Sequence, residues 1–312
     1  MKLAVSTHWN AHRHGCGEAL VQEILDLGFD RIELGYDLTL DLVPGVQHMV
    51  RSGAVRVVSV HNFCPVPLGA PAGHPELFPL ASTDPRMRQT AVTHTLKTVE
   101  LAADVGAPVV VVHAGSVSMK PLTPKLVDLF NDGKAFSPKY EKIRMKLLMQ
   151  RERKAQKHVD ALCEALEQML PTIESAQVSL ALEIMPYWEG LPTETEAETL
   201  CRRFDGERIR YWYDTGHGQA RDTLGLVGSQ QWLQRLRPVL AGVHLHDTVP
   251  PSDSHLMPPH GEIDFSQLLP LIPVDVPLVL EPAPGIPPDH IEEATRLLSS
   301  LAAQTQDNAT RT

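Results

Sequence analysis

Residues 178–183 read VSLALE, an apolar run closed by a carboxylate. Five further segments are runs closed by a carboxylate or a histidine: VRVVSVH (55–61), PVVVVH (108–113), RIRYWYD (208–214), LAGVHLHD (240–247) and PLVLE (277–281). Short runs rich in Val, Leu and Ala with no polar alternation are what strands buried on both faces look like, and that is the condition of a parallel sheet. Working outward, strands are predicted near 2–8, 31–36, 55–62, 108–114, 178–184, 209–214, 240–246 and 277–282. Helical patterns fill about 17–27, 39–51, 84–105, 140–169, 194–204, 229–237, 265–271 and 289–303. The clearest helix is 84–105, with Asp84 as cap, Pro85 at the first helical position and Gly106 beyond its end. Strand–helix alternation repeated through the chain predicts a single-domain α/β protein, a (β/α)8 barrel over residues 1–303, with 304–312 read as a disordered tail. An open, doubly wound sheet is the competitor. It gathers its site mainly at one switch point, whereas here nearly every strand ends in a chemically useful side chain.

Composition sets bounds on function. At 312 residues the chain suits one barrel with insertions. The formal charge is −10, and the densest basic stretch, 139–157, also carries acids, which disfavours a nucleic-acid partner. The four cysteines, Cys16, Cys64, Cys163 and Cys201, lack metal or redox spacing and read as free thiols of a reducing compartment. No apolar stretch approaches a membrane span and no leader is evident, so a cytoplasmic enzyme is the expectation. Oligomeric state is open, a homo-oligomer included.

The strand-end residues carry the chemistry. A carboxylate placed directly after an apolar run is costly to leave unpaired. Glu183, Asp214 and Glu281 at three strand ends would point into one barrel mouth and share a divalent cation. A histidine from HLHD, His244 or His246, completes a mixed N/O set suited to Mn, Co, Mg, Fe or Zn. His244 and His246 lie two apart and so share a face of their strand. Asp247 either orients a ligand histidine or caps the following loop. In DTGH, Gly216 is expected to turn the chain so that His217 faces the mouth. His61, His113, His217, Asp253 and His255 form an outer set that either binds further ions or holds substrate. Long loops at 62–82 and 115–140 are expected to set specificity.

The ordered series VHNF (60–63), LASTDPRMR (80–88) leading to VVVVHAGS (109–116), LE in ALEIM (181–185), YDTGH (213–217), VHLHD (243–247), DSH (253–255) with HGEIDF (260–265), and LEP (280–282) resembles the xylose isomerase-like TIM barrel superfamily. That superfamily includes sugar phosphate isomerases and epimerases and the endonuclease IV family. The resemblance implies a metal site from Glu183, Asp214, a histidine of the seventh strand and Glu281, with the two glutamates moving a proton through an enediolate. It further implies substrate contacts from Glu189, His217, His61, His113 and His246. The endonuclease IV branch implies instead three zincs, held by His61, His113 and Glu183, by Glu183, Asp214, His244 and Glu281, and by His217, Asp253 and His255. Against that branch, the loop NFCPVPLGAP (62–71) is proline-rich and does not match the family's aromatic-rich loop that pries DNA apart, and LAVSTH (3–8) lacks the usual glycine. The function expected is a metal-dependent isomerase or epimerase of a small carbohydrate-like substrate. A trinuclear phosphodiesterase, or a lyase, dehydratase or hydrolase of a polyol-like compound, is the alternative.

Overall fold

The computed structural model of the chain describes residues 2–310. Eight parallel strands close into a barrel in chain order: β1 (Leu3–Ser6), β2 (Arg31–Leu34), β3 (Arg56–His61), β4 (Val109–Val112), β5 (Ser179–Glu183), β6 (Ile209–Asp214), β7 (Leu240–Leu245) and β8 (Leu278–Leu280). The predicted barrel is therefore the observed fold, and β1 pairs with β8 to leave no edge.

The helices that sheathe it are α1 (Gly17–Asp26), α2 (Val43–Arg51), α3 (Pro85–Asp104), α4 (Thr123–Asn131), α5 (Pro138–Ala176), α6 (Glu194–Arg203), α7 (Thr215–Thr223), α8 (Ser229–Leu236), α9 (Phe265–Leu268) and α10 (Pro288–Thr310). Asp84 caps α3 through the Arg86 amide as expected. A capping box between Thr193 and Glu196 starts α6. Two helices were not foreseen, α4 inside the long 115–140 segment and α7 directly after β6. Helix α10 runs through most of the segment expected to be a disordered tail; residues 311–312 lie outside the described residues.

The barrel interior explains why the ligands converge. Ala4, Val58, Val109, Val111, Ala181, Trp212, Ala241 and Val279 form a separate apolar cluster inside the ring of strands. Side chains two apart on a strand share a face. His113 follows Val111 by two, Glu183 follows Ala181, Asp214 follows Trp212 and Glu281 follows Val279, so each polar side chain stands above an apolar one of that plug. Trp212 fills the middle by lying over Gly242, where a Cβ would meet its ring at 2.2 Å. Any larger residue at 242 would collide with the Trp212 ring.

The two long loops are held by His158 on α5. Its Nε2 accepts from the Ser118 amide at 3.1 Å, so Nδ1 carries the proton and donates to the Ala81 carbonyl at 2.8 Å. One buried imidazole thus ties together segments that follow β3 and β4. Among the described residues no helix is long and apolar enough to cross a membrane.

Candidate metal centre

Eleven ionisable side chains crowd the C-terminal mouth of the barrel: Glu33, His61, His113, Glu183, Asp214, His217, His244, His246, Asp253, His255 and Glu281. All except Asp253 and His255 are buried. Ten of them come from the expected strand ends and loops. Glu33, on β2, was missed.

Glu183 is the hub. Its Oε2 lies 3.0 Å from His113 Nε2 and 3.3 Å from His61 Nε2. Its Oε1 lies 3.1 Å from His244 Nδ1 and 3.5 Å from His217 Nδ1. The two oxygens of one carboxylate therefore serve two separate donor groups. His244 Nδ1 is in turn faced by three carboxylates: Glu183 at 3.1 Å, Glu281 Oε2 at 3.3 Å and Asp214 Oδ2 at 3.8 Å. Bonds of about 2.0–2.2 Å from a shared cation would place donor atoms about 3.3–3.6 Å apart at tetrahedral angles; the ligand atoms of Glu183, Asp214 and His244 gather near that spacing, and Glu281 Oε2 approaches the same His244 nitrogen.

A further group sits outward of these. Asp214 holds His246, with Oδ1 and Oδ2 at 2.9 and 3.0 Å from Nε2. Asp253 Oδ2 is 3.1 Å from His217 Nε2, and its Oδ1 is 3.5 Å from His255 Nε2. His255 stacks on His246 with centroids 4.0 Å apart. The ligand atoms of His217, His246, Asp253 and His255 all lie within 4.8 Å of one another, as do those of His61, His113 and Glu183, and those of Glu183, Asp214 and His244.

The orientation of the imidazoles is the second fit to a metal. Four of them spend one ring nitrogen on a backbone carbonyl and so must donate there: His61 Nδ1 to Asn62, His217 Nδ1 to Ile184, His246 Nδ1 to Asp247 and His255 Nδ1 to Glu281. Their other nitrogen is the one directed at the site, where loss of its proton leaves the lone pair a metal ligand requires. His113 differs, since its buried Nδ1 has no hydrogen-bond partner and only Glu76 stands near, at 3.9 Å.

Electrostatics follow from this packing. Burial alone would raise the Glu183 carboxyl, yet His244 and His113 outweigh it and hold it well below the usual range. Asp214 and Asp253 are lowered against burial in the same way, by His217 with His246 and by His217 with His255. Burial opposes charge on the histidines too. Glu183 lifts His61, Asp214 and Asp253 lift His217, and Glu281 with Glu33 lifts His244. Asp253 and Glu281 lift His255 to about 9.

Three local expectations are corrected or resolved. Gly216 does not form a tight turn. Asp214 caps α7 through the His217 amide at 2.7 Å, and Gly216 lies in the first turn of that helix. Its need for no side chain is steric, because a Cβ there would fall 2.0 Å from His246 Cε1. Asp247 is a loop cap: it accepts from the amides of Thr248, Gly261 and Ile263 at 2.9–3.0 Å, fixing the loop that carries Asp253 and His255. His255 takes φ +45° in that loop, a left-handed conformation that a non-glycine residue adopts at a cost of about 1–3 kcal/mol. Glu189 is not brought into the cluster. Its carboxylate accepts from the Leu122 and Thr123 amides and the Thr123 hydroxyl, holding the start of α4.

This geometry accords with the comparisons. The chain belongs to the xylose isomerase-like TIM barrel family, whose profile matches residues 21–301. Among solved structures it is similar to a D-tagatose 3-epimerase-like protein, with 18% identity, TM-score 0.70, and 99% of this chain and 100% of that chain covered. It is also similar to an L-ribulose 3-epimerase, at 14% identity and TM-score 0.71, covering 99% and 97%. A third is the IOLI protein with a binding zinc atom, at 15% identity and TM-score 0.64, covering 98% and 99%. At such identities the likeness is one of fold. Comparison with curated proteins returns no match.

A cavity of about 180 Å³ opens onto the cluster, lined by Glu183, Glu281, His61, His113, His217, Asp253 and His255 and walled by Tyr36, His74, Glu76, Met185 and Tyr187. His74 is thus at the mouth as well. His8 touches the same region through Tyr36 Oη at 3.3 Å and Asp37 at 3.1 Å.

Proposed function

We propose that the chain is a divalent-metal-dependent isomerase or epimerase acting on a small sugar-like polyol. The observation that carries this reading is the set of three strand-end carboxylates, Glu183, Asp214 and Glu281, around the single nitrogen His244 Nδ1, at the floor of a cavity sized for a small molecule. Glu183, Asp214, His244 and Glu281 would hold the ion. A divalent cation there polarises a carbonyl and its neighbouring hydroxyl and so acidifies the carbon-bound proton between them.

The chain's own groups supply the rest. Glu183 and Glu281 take and return that proton, passing through an enediolate. Glu183 is held ionised against burial by His244 and His113, the form a base requires. His61, His113 and His217 face the cavity and position the substrate hydroxyls. Tyr36 and Tyr187 keep their protons well above the usual phenol range, through burial and through the carboxylates Glu281 and Glu76 nearby, and so serve as hydrogen-bond donors.

A specific observation favours a second reading, a two- or three-metal hydrolase or phosphodiesterase. Glu183 offers one oxygen to each of two donor groups, and His217, His246, Asp253 and His255 form another. Metal content of the purified protein, with solvent-deuterium exchange over a panel of ketoses, separates the two. One exchangeable ion per chain with deuterium entering the ketose is expected. Two or three tightly held ions, with phosphodiester cleavage and no exchange, overturn the isomerase reading.

A further inference from the structure

At the opposite end of the barrel lies a much larger cavity, about 920 Å³, in the size range of small-molecule sites. Its wall is apolar: Val57 and Val58 of β3, Pro108, and the segment Leu269–Leu278 that leads into β8. Its polar groups are nearly all of one sign. Lys2, Arg31, Arg56 and Arg237 line it against a single acid, Asp275.

The fold places these cations together. Lys2 immediately precedes β1, and Arg31 and Arg56 begin β2 and β3 and are register partners on adjacent strands. Arg237 enters from across the barrel, just before β7. Among the described residues Lys2, Arg56 and Arg237 have no ion pair. Arg31 has a buried Nε without a hydrogen-bond partner, its nearest acid oxygen being Asp30 Oδ1 at 3.8 Å. The whole chain carries a formal charge of −10, so four cations gathered over an apolar cavity against Asp275 and the loosely paired Asp30 are a local inversion of the protein's charge.

We infer that the N-terminal face of the barrel binds an amphipathic anion, a molecule with an apolar body and one carboxylate, sulfonate or phosphate head. The body would occupy the Val57, Val58, Ile272 and Val276 wall, and the head would be held between Arg31, Arg56 and Arg237. The strands' apolar plug separates this site from the metal centre, so its occupancy does not require the metal.

The test is a fluorescence titration of the full chain with anilinonaphthalene sulfonate, competed by octyl phosphate, octanoate and neutral octanol. Saturable one-to-one binding is expected, displaced by the two anions and not by octanol, and unchanged when metal is stripped with chelator. The Arg56→Gln/Arg237→Gln double variant should bind at least about tenfold more weakly, the scale of one lost charge-assisted contact, with an unaltered thermal melt and unaltered metal content. Absence of saturable binding, equal displacement by octanol, or undiminished binding by the double variant overturns the inference. So does sedimentation with phosphatidylglycerol vesicles without binding of the free amphiphiles, which would make the face a membrane contact instead.

Discussion

Glu33 grips His244 from below: both carboxylate oxygens lie within 3.1 Å of Nε2, while Nδ1 on the far side of the ring faces Glu183, Asp214 and Glu281. Glu33 is fully buried, and Ser59 Oγ donates to it at 2.7 Å. Burial would raise its carboxyl, but His244 outweighs that and lowers it. The four histidines tied to backbone carbonyls are oriented by neutral acceptors. Among the site's histidines, His244 is the one oriented by a buried carboxylate on its outward nitrogen, and that partner makes the imidazole a stronger donor.

Removing Glu33 should therefore weaken the metal without touching a ligand. Glu33→Ala is expected to lower affinity about 10–100-fold, the usual cost of losing such a partner, measured by competition with a chromophoric chelator. Glu33→Gln, which keeps an acceptor oxygen, should fall between the wild type and Ala. An Ala variant of unchanged affinity would show that Glu33 serves packing alone.

Metal binding should release protons. In the metal-free protein His61, His217 and His244 are held protonated above the usual range, and His255 to about 9, by the carboxylates around them. Coordination needs neutral imidazole, so binding through His244 must expel the proton its carboxylates favour, and apparent affinity must rise with pH. Calorimetric titrations in phosphate and in Tris should give enthalpies that differ in proportion to buffer ionisation enthalpy. Equal enthalpies in both buffers would mean that the histidines are neutral before the ion arrives.

The sequence and the structure agree where strand periodicity does the work. Glu183, Asp214 and Glu281 are legible because each closes an apolar run, and the two-residue repeat then forces them inside. Glu33 is not legible. In RIEL it sits mid-strand, where one acid among apolar residues reads as an exposed charge, and only barrel closure brings β2 across from β7. Glu189 shows the opposite failure: a well-spaced acid whose oxygens are taken by a helix start that the sequence did not predict. His244 against His246 was undecidable from spacing, since both share a face. Their roles separate because β6 and β7 align Asp214 with His244, leaving His246 one step further out to meet the Asp214 carboxylate from above.

Gly216 gives a test in which propensity and packing oppose each other. In a helix, Gly to Ala normally stabilises by up to about 1 kcal/mol. Here the added Cβ would land on the His246 ring. Gly216→Ala is expected to destabilise by about 1–3 kcal/mol, the cost of overpacking, and to push His246 off the Asp214 carboxylate while the ion proposed for the inner ligands is retained. Thermal melts with metal analysis decide. A more stable variant with full metal content would show that α7 shifts freely and that His246 is not locked.

A contact between the loops after β3 and β5 bridges the mouth. Tyr187, after β5, donates its hydroxyl to Glu76 Oε1 at 2.7 Å, and Glu76 belongs to the proline-rich loop after β3. The same Glu76 oxygen is 3.9 Å from the unpartnered Nδ1 of His113. Tyr187→Phe removes one hydrogen bond to a charged acceptor, worth about 1.5–3 kcal/mol, and leaves every proposed metal ligand in place. Amide exchange across 74–78 should accelerate by about tenfold or more, with metal content unchanged. With a substrate in hand, KM should rise and kcat change little, because the variant alters the wall rather than the reacting groups. If exchange in 74–78 is unaffected, the loop is held by its prolines and by the His158 tie at Ala81, and the Tyr187–Glu76 bond is incidental to closure.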